Sequence, residues 1–143
     1  MSAAGPGFCI LVVDDEDYVR ASVAAALKSA GIANVATAAE PIEAMEVLSS
    51  RDVGIVLLDL TMPAMPGEEL LLRIREEQPG AAVVVITGNR DVDKAVECMR
   101  AGAADYLVKP VERERLVATV RRLIEHQALL RENEAIKERL LSA

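Results

Sequence analysis

Four apolar runs in this chain each stop on a polar residue, and that repetition restricts the fold more than any other feature. The clearest is Ile55-Val56-Leu57-Leu58, which runs into Asp59 and then into a Pro-rich turn that ends at Gly67. A continuous apolar run of this length reads as a strand buried on both faces, the habit of parallel sheets. The other runs stop at Asp14-Asp15, at Thr87 and at Lys109. In a parallel sheet all such ends lie on one edge, where open α/β sheets place their chemistry.

Between the runs the spacing turns helical. Strands are expected over 8–13, 35–38, 53–58, 82–86 and 104–108. Val19, Val23, Leu27 and Ala30 mark a first helix, stopped by Gly31. Pro41 opens a second, with Ile42, Met45 and Leu48 as its apolar stripe. Leu70, Leu71 and Ile74 point inward from a third, and Val92, Val96 and Met99 mark a fourth. From Glu112 onward the pattern is helical throughout. Five strands alternating with five helices through short connections specify an α/β protein with a parallel sheet covered on both faces. Crossovers are right-handed. The pattern alone does not give the strand order.

Aromatic residues make up 2% of the chain, so the core is built from Val, Ile, Leu, Ala and Met. The formal charge is −7, with +1 in residues 111–143 and −8 in the first 110. An acidic body argues against direct nucleic-acid or membrane-surface binding by this segment. Cys9 and Cys98 have no metal-like spacing and read as reduced, buried thiols of a cytoplasmic protein. No apolar stretch is long enough to span a membrane. Residues 1–7 lack the features of a signal peptide and read as a flexible lead-in.

The strand ends bring together three carboxylates, a hydroxyl and an ammonium. Two carboxylates about 4 Å apart repel by roughly 4 kcal/mol at an effective dielectric near 20. Lys109 neutralises one of the three. A hard divalent cation is the natural remedy for the rest, and Mg²⁺ fits best, because it takes few carboxylates and keeps waters for a phosphate-bearing partner. Lys109 and the Thr87 hydroxyl suit phosphoryl oxygens. Asp59, at the end of the middle strand of those that supply the acids and the hydroxyl, is the candidate nucleophile, able to become an aspartyl phosphate.

In combination, these residues resemble the receiver domain of two-component response regulators. The resemblance covers about residues 8–126. It rests on Asp14-Asp15, on Asp59 followed by Leu-Thr-Met-Pro and Gly67, on Thr87-Gly88, and on Tyr106 before Lys109-Pro110. It implies a CheY-like, flavodoxin-like sheet in the order 2-1-3-4-5 with helices on both faces. It further implies that Asp59 accepts a phosphoryl group from a phosphohistidine of a sensor histidine kinase. Asp15, Asp59 and the backbone carbonyl of Thr61 are then the Mg²⁺ ligands, with Asp14 helping through water. Thr87 and Lys109 contact the phosphoryl oxygens, Gly88 leaves room for the group, and the Lys109–Pro110 peptide is cis. His126, the single histidine, lies far along the chain from the cleft, so the phosphohistidine donor is expected in another protein.

Tyr106 has two readings: a half-buried aromatic with its tip in water, or, by the resemblance, a ring that follows Thr87 when Asp59 is phosphorylated. The second is preferred. It would reshape the surface of the fourth helix, last strand and fifth helix. The last helix, about 45 Å long at 1.5 Å per residue, outruns the domain. Beyond His126 it is expected to have no sheet to cover. Leu129, Asn133, Ile136 and Leu140 recur there at coiled-coil spacing, with Asn133 placed to fix register. Residues 127–143 therefore read as a helical linker that makes a parallel homodimer and leads toward an output domain. Residues 95–103 and the linker look most like NtrC-like activators of sigma-54 transcription, and the linker is similar also in regulators with cyclic-di-GMP phosphodiesterase outputs. Two other functions compete. One is a Mg²⁺-dependent phosphatase of the haloacid dehalogenase-like kind, but Asp59-Leu60-Thr61 lacks that group's second Asp and no cap segment is available. The other is a degenerate receiver used as a scaffold, against which the intact set of acids, Thr87 and Lys109 argues.

Overall fold

In a computed structural model that describes residues 7–142, the chain forms five strands and five α-helices in alternation. They are β1 (Cys9–Val13), α1 (Asp17–Ser29), β2 (Val35–Ala38), α2 (Pro41–Ser50), β3 (Val53–Asp59), α3 (Gly67–Glu77), β4 (Ala82–Thr87), α4 (Val92–Arg100), β5 (Asp105–Val108) and α5 (Arg113–Ser142). A 3₁₀ turn, Asn89–Asp91, joins β4 to α4. All neighbouring strands pair in parallel, in the order β2-β1-β3-β4-β5. The lead-in expected over residues 1–7 lies, but for Gly7, outside the described residues.

The strands alternate their side chains between two apolar layers. Leu11, Val13, Val56, Leu58, Val83 and Val85 face one layer, closed by Ala44, Leu48, Leu70, Leu71, Ile74 and Cys98 from α2, α3 and α4. Ile10, Val12, Ile55, Leu57, Val84 and Ile86 face the other, closed by Val23, Leu27, Leu116, Val120 and Leu123 from α1 and α5. β1 and β3 are buried at every position, which is why they read as unbroken apolar runs.

Two helical stripes differ from expectation. In α2 the buried positions are Pro41, Ala44 and Leu48, while Ile42 is exposed. In α4 they are Ala95 and Cys98, while Val92, Val96 and Met99 face out. In α4 a small-residue stripe faces the sheet and the larger apolar residues beside it stay at the surface.

The tail of α5 also differs. It does meet the body beyond His126. Gln127 is buried, and Arg131 pairs with Asp52 and lies over the Phe8 ring. The sheet bulges at this end: Cys9 pairs with Val53 and Ile10 with Ile55, so Gly54 is the extra residue in β3. Leu129, Asn133, Ile136 and Leu140 are exposed.

Candidate functional site

The carboxyl edge of the sheet gathers the polar strand ends. Asp14 follows β1 directly and is held by its own loop. Its N–H donates to the Ala38 carbonyl at 3.1 Å, and its carbonyl accepts from Arg20 Nη1 at 2.7 Å. The Glu16 N–H donates to Asp14 Oδ1 at 2.9 Å, so the turn into α1 sets the rotamer of the acid. Asp15, one residue on, points to solvent. Asp59 closes β3 and is 1% exposed, with the next N–H, of Leu60, bonded to the Ile86 carbonyl at 3.0 Å. Past it, Gly67 packs on the turn so closely that a Cβ would meet Leu60 Cδ2 at 2.4 Å and Leu60 Cα at 2.9 Å. That contact explains the glycine, which otherwise makes a poor helix residue.

Asp59 is used asymmetrically. Oδ1 accepts the Thr61 N–H at 3.0 Å and the Thr61 hydroxyl at 2.8 Å, and Lys109 Nζ lies 3.4 Å away. Oδ2 is buried with no hydrogen-bond partner among the described residues. Asp14 Oδ2 is in the same state, since Lys109 Nζ, at 3.8 Å, is an ion-pair neighbour too distant to donate. One carboxylate oxygen from each of Asp14, Asp15 and Asp59 lies within 4.8 Å of the others. At an effective dielectric near 20 each such pair repels by roughly 3 kcal/mol. Burial pushes the Asp14 carboxyl above its ordinary value and the neighbouring Asp59 adds to this, while the Glu16 N–H and Lys109 pull the other way.

Asp14 Oδ2, orphaned and buried in a cluster of three acids, all hard oxygen donors, fits a hard cation. An unpaired buried carboxylate oxygen is costly, and a cation bound there would offset that cost.

Thr87 ends β4 fully buried, and its hydroxyl donates to the Asp91 carbonyl at 3.1 Å. Its own carbonyl accepts the Lys109 N–H at 2.8 Å, which fixes the start of the loop after β5. The Lys109–Pro110 peptide is cis. A Cβ on Gly88 would meet nothing nearer than Asp91 Oδ2 at 3.7 Å. Tyr106 lies opposite Val85 and Val108 opposite Thr87, so Tyr106 and Thr87 share a face of the sheet. Tyr106 is half-buried against the α2–α4 layer.

Two features escaped the sequence reading. One is the Thr61 hydroxyl, which bonds the candidate nucleophile. A hydroxyl two residues beyond a loop Asp is a recognisable signal for such a bond. The other is a groove of about 570 Å³ lined by Tyr18, Val19, Ser22, Ile86, Lys109 and Val111, which joins α1 to the loop after β5 beside the acids. No helix among the described residues is long and apolar enough to cross a membrane.

Comparisons with known proteins agree with this architecture. Residues 10–121 match the response regulator receiver domain. The chain is similar to the C4-dicarboxylate transport transcriptional regulatory protein DctD of Pseudomonas aeruginosa, with 35% identity across 90% of this chain and 28% of that protein. It is 37% identical to the DNA-binding transcriptional regulator NtrC of Escherichia coli across 82% of this chain and 25% of the other. Among solved structures, NtrX from Brucella abortus in complex with ATP superimposes with a TM-score of 0.84 at 33% identity, covering 90% of this chain and 29% of that one. A CheY-like receiver domain protein from Methanospirillum hungatei covers 85% of this chain and 96% of its own, with a TM-score of 0.78 and 28% identity. The chain thus spans less than a third of the curated relatives it matches. With its fold, its sheet order and its acidic edge in agreement, this chain belongs to the response regulator receiver family, a family of signalling domains.

Proposed function

We propose that this receiver takes a phosphoryl group from a phosphohistidine of a sensor histidine kinase onto Asp59, in a cytoplasmic two-component pathway. The observation that carries the reading is Asp59 Oδ2: buried and unpartnered, while Oδ1 is held by Thr61 and faces Lys109. A carboxylate so fixed presents one free oxygen for attack. That oxygen forms the new O–P bond as the N–P bond of the donor breaks, and the departing imidazole keeps the electron pair and takes up a proton. Asp14, Asp15, Asp59 and the Thr61 carbonyl are the residues that would hold Mg²⁺, which when bound supplies positive charge against the transferring group. Lys109 supplies further positive charge from the chain itself. The groove beside Lys109 supports the kinase as partner, because an apolar face next to the nucleophile gives a histidine-bearing helix somewhere to seat.

The switch runs through Thr87 and Tyr106. In the unphosphorylated state the Thr87 hydroxyl is engaged with the Asp91 carbonyl in the turn that starts α4. New phosphoryl oxygens compete for that hydroxyl. Drawing Thr87 inward frees the Asp91 carbonyl and opens space on the face it shares with Tyr106. The ring follows, and the surface of α4, β5 and α5, with Val92, Val96 and Met99 exposed on it, changes shape.

The receiver body is taken as 8–126, with Gln127 and Arg131 still packed against it, and the rest of 127–143 leads toward an output domain. Leu129, Ile136 and Leu140, exposed in line with Asn133, pair with the same stripe of a second copy. DctD and NtrC are transcriptional regulators by name, and control of transcription with sigma-54 is the output proposed here.

Mass spectrometry after treatment with acetyl phosphate and Mg²⁺ tests the central claim. One phosphoryl adduct is expected, absent without Mg²⁺ and absent in Asp59→Asn. A wild-type chain that stays unmodified sinks it.

A further inference from the structure

The tail of α5 is gripped on one side. Gln127 extends the buried stripe of Leu116, Val120 and Leu123, and is itself 3% exposed. Its Nε2 donates to the Gly54 carbonyl at 2.8 Å and to the Gly80 carbonyl at 2.6 Å. Gly54 is the residue that the β1–β3 bulge adds. A buried amide without partners costs more than its hydrogen bonds contribute, so Gln127 is tolerated in this one setting of the helix.

One turn on, Arg131 closes the grip. Nη1 donates to Asp52 Oδ2 at 2.7 Å and Nη2 to Oδ1 at 2.9 Å, a bidentate pair. The guanidinium also lies 4.7 Å from the centre of the Phe8 ring. Phe8 in turn sits on Gly54, where a Cβ would come within 2.3 Å of the ring. Bulge, ring, fork and amide therefore form one interlocked unit at the end of the sheet remote from Asp59.

The direction of this grip matters. At about 100° per residue, Gln127 and Arg131 lie about 40° apart on the helix, and Leu129, Asn133, Ile136 and Leu140 centre about 190° away from them. The gripped face and the exposed stripe are opposite sides of one rod.

We infer that Gln127 and Arg131 form a latch that fixes the rotational phase of the tail helix, so that the receiver body always lies opposite the 129–133–136–140 stripe and the stripe is left open to a second copy of this chain. The pairing half rests on the dimer reading above. The latch itself does not. Two chains latched in this way would present their stripes to each other with their bodies on the outer sides. Motion of α5 at the switch surface reaches the tail as movement of a rigid rod, since no loose joint follows His126 to absorb it.

Intrachain distances between spin labels test the latch. Labels go on Glu46→Cys in α2 and Glu138→Cys in the tail, both exposed, while Cys9 and Cys98 are buried. Labelled chain is diluted with excess unlabelled chain, so that only distances within one chain are read. A single narrow distribution is expected. Gln127→Ala/Arg131→Ala should broaden it about twofold, as a freed segment samples more orientations. Asp52→Ala, a surface change that leaves the core intact, should broaden it as well. The exchange Asp52→Arg/Arg131→Asp should narrow it again, which general destabilisation would not do. Equal widths in parent, double variant and Asp52→Ala overturn the latch. Sedimentation of the same samples separates the second claim: a monomeric parent overturns the pairing half while leaving the widths to decide the latch.

Discussion

The Thr61 hydroxyl and the Thr61 N–H both donate to Asp59 Oδ1, at 2.8 and 3.0 Å, and neither reaches Oδ2. One residue thus pins one oxygen of the candidate nucleophile and leaves the other free. Thr61→Val keeps the shape and the N–H but removes the hydroxyl. Losing one hydrogen bond of about 1 kcal/mol should slow Asp59 phosphorylation roughly fivefold. Single-turnover phosphorylation by a small phosphodonor measures it, and an unchanged rate would show that the N–H alone orients the acid.

Asp14 carries a cost that a bound cation relieves. Its Oδ2 is buried and unpartnered, and burial, with Asp59 beside it, raises its affinity for a proton. Asp14→Asn should therefore stabilise the metal-free protein by about 1–2 kcal/mol, a Tm rise of about 3–8 °C. The same change should shrink the Tm increase that Mg²⁺ produces in the parent. Thermal melts with and without Mg²⁺ read both effects, and a destabilised metal-free variant would contradict the account.

The Asp52–Arg131 pair predicts a pH dependence. The Arg131 hydrogen bonds hold the Asp52 carboxyl below its usual range, against the opposing effect of burial. A depressed carboxylate contributes stability that is present above its unfolded value, about 3.9, and is lost as the pH falls through the lower folded value. The stability difference between parent and Asp52→Asn should be constant from neutral pH down to about 4 and shrink below that. Urea unfolding across this range checks the sign; a difference that grows in acid would refute it.

Gly67 is expected to be intolerant. In Gly67→Ala the new methyl overlaps both the side chain and the Cα of Leu60, and backbone cannot step aside cheaply. Overpacking of this kind costs about 1–3 kcal/mol. Because Leu60 adjoins Asp59, the phosphorylation rate should fall with the stability. Denaturant midpoints give the first quantity and adduct formation the second.

The exposed tail stripe makes the last prediction. Leu129→Lys/Ile136→Lys places like charges along the proposed seam and should shift sedimentation toward a monomer. Body stability should stay unchanged, because neither side chain is buried. Equal masses for parent and variant would remove the seam.

Much of this was legible in the residues. Unbroken apolar runs such as 55–58 mark strands buried on both faces, and β3 is buried throughout. The residues that stop the runs, Asp14, Asp59, Thr87 and Lys109, do meet on one edge, because parallel strands must all end on the same side. Periodicity did less well where two stripes competed. In α4, Val92, Val96 and Met99 carry the larger apolar signal, yet Ala95 and Cys98 face the sheet. A stripe pattern reports spacing, while the distance between helix and sheet selects the stripe, and small residues permit the closer approach. Gln127 had a visible signal as well: it continues the stripe of Leu116, Val120 and Leu123 at the same spacing. Its partners, carbonyls of Gly54 and Gly80, are distant in sequence and left no local mark.

The sequence by itself determined the alternation of strands and helices, the edge on which the polar strand ends gather, and the crowding of three carboxylates there. Those follow from local patterns and from the charge of the side chains, which any fold must respect. Only the tertiary structure decided which oxygen of Asp59 is free, which way the Thr87 hydroxyl turns, and where the body releases α5. Each depends on a few tenths of an ångström or on a rotation about a helix axis. Such quantities are set by contacts between segments far apart in the chain, as when Arg131 closes on Asp52 and Phe8.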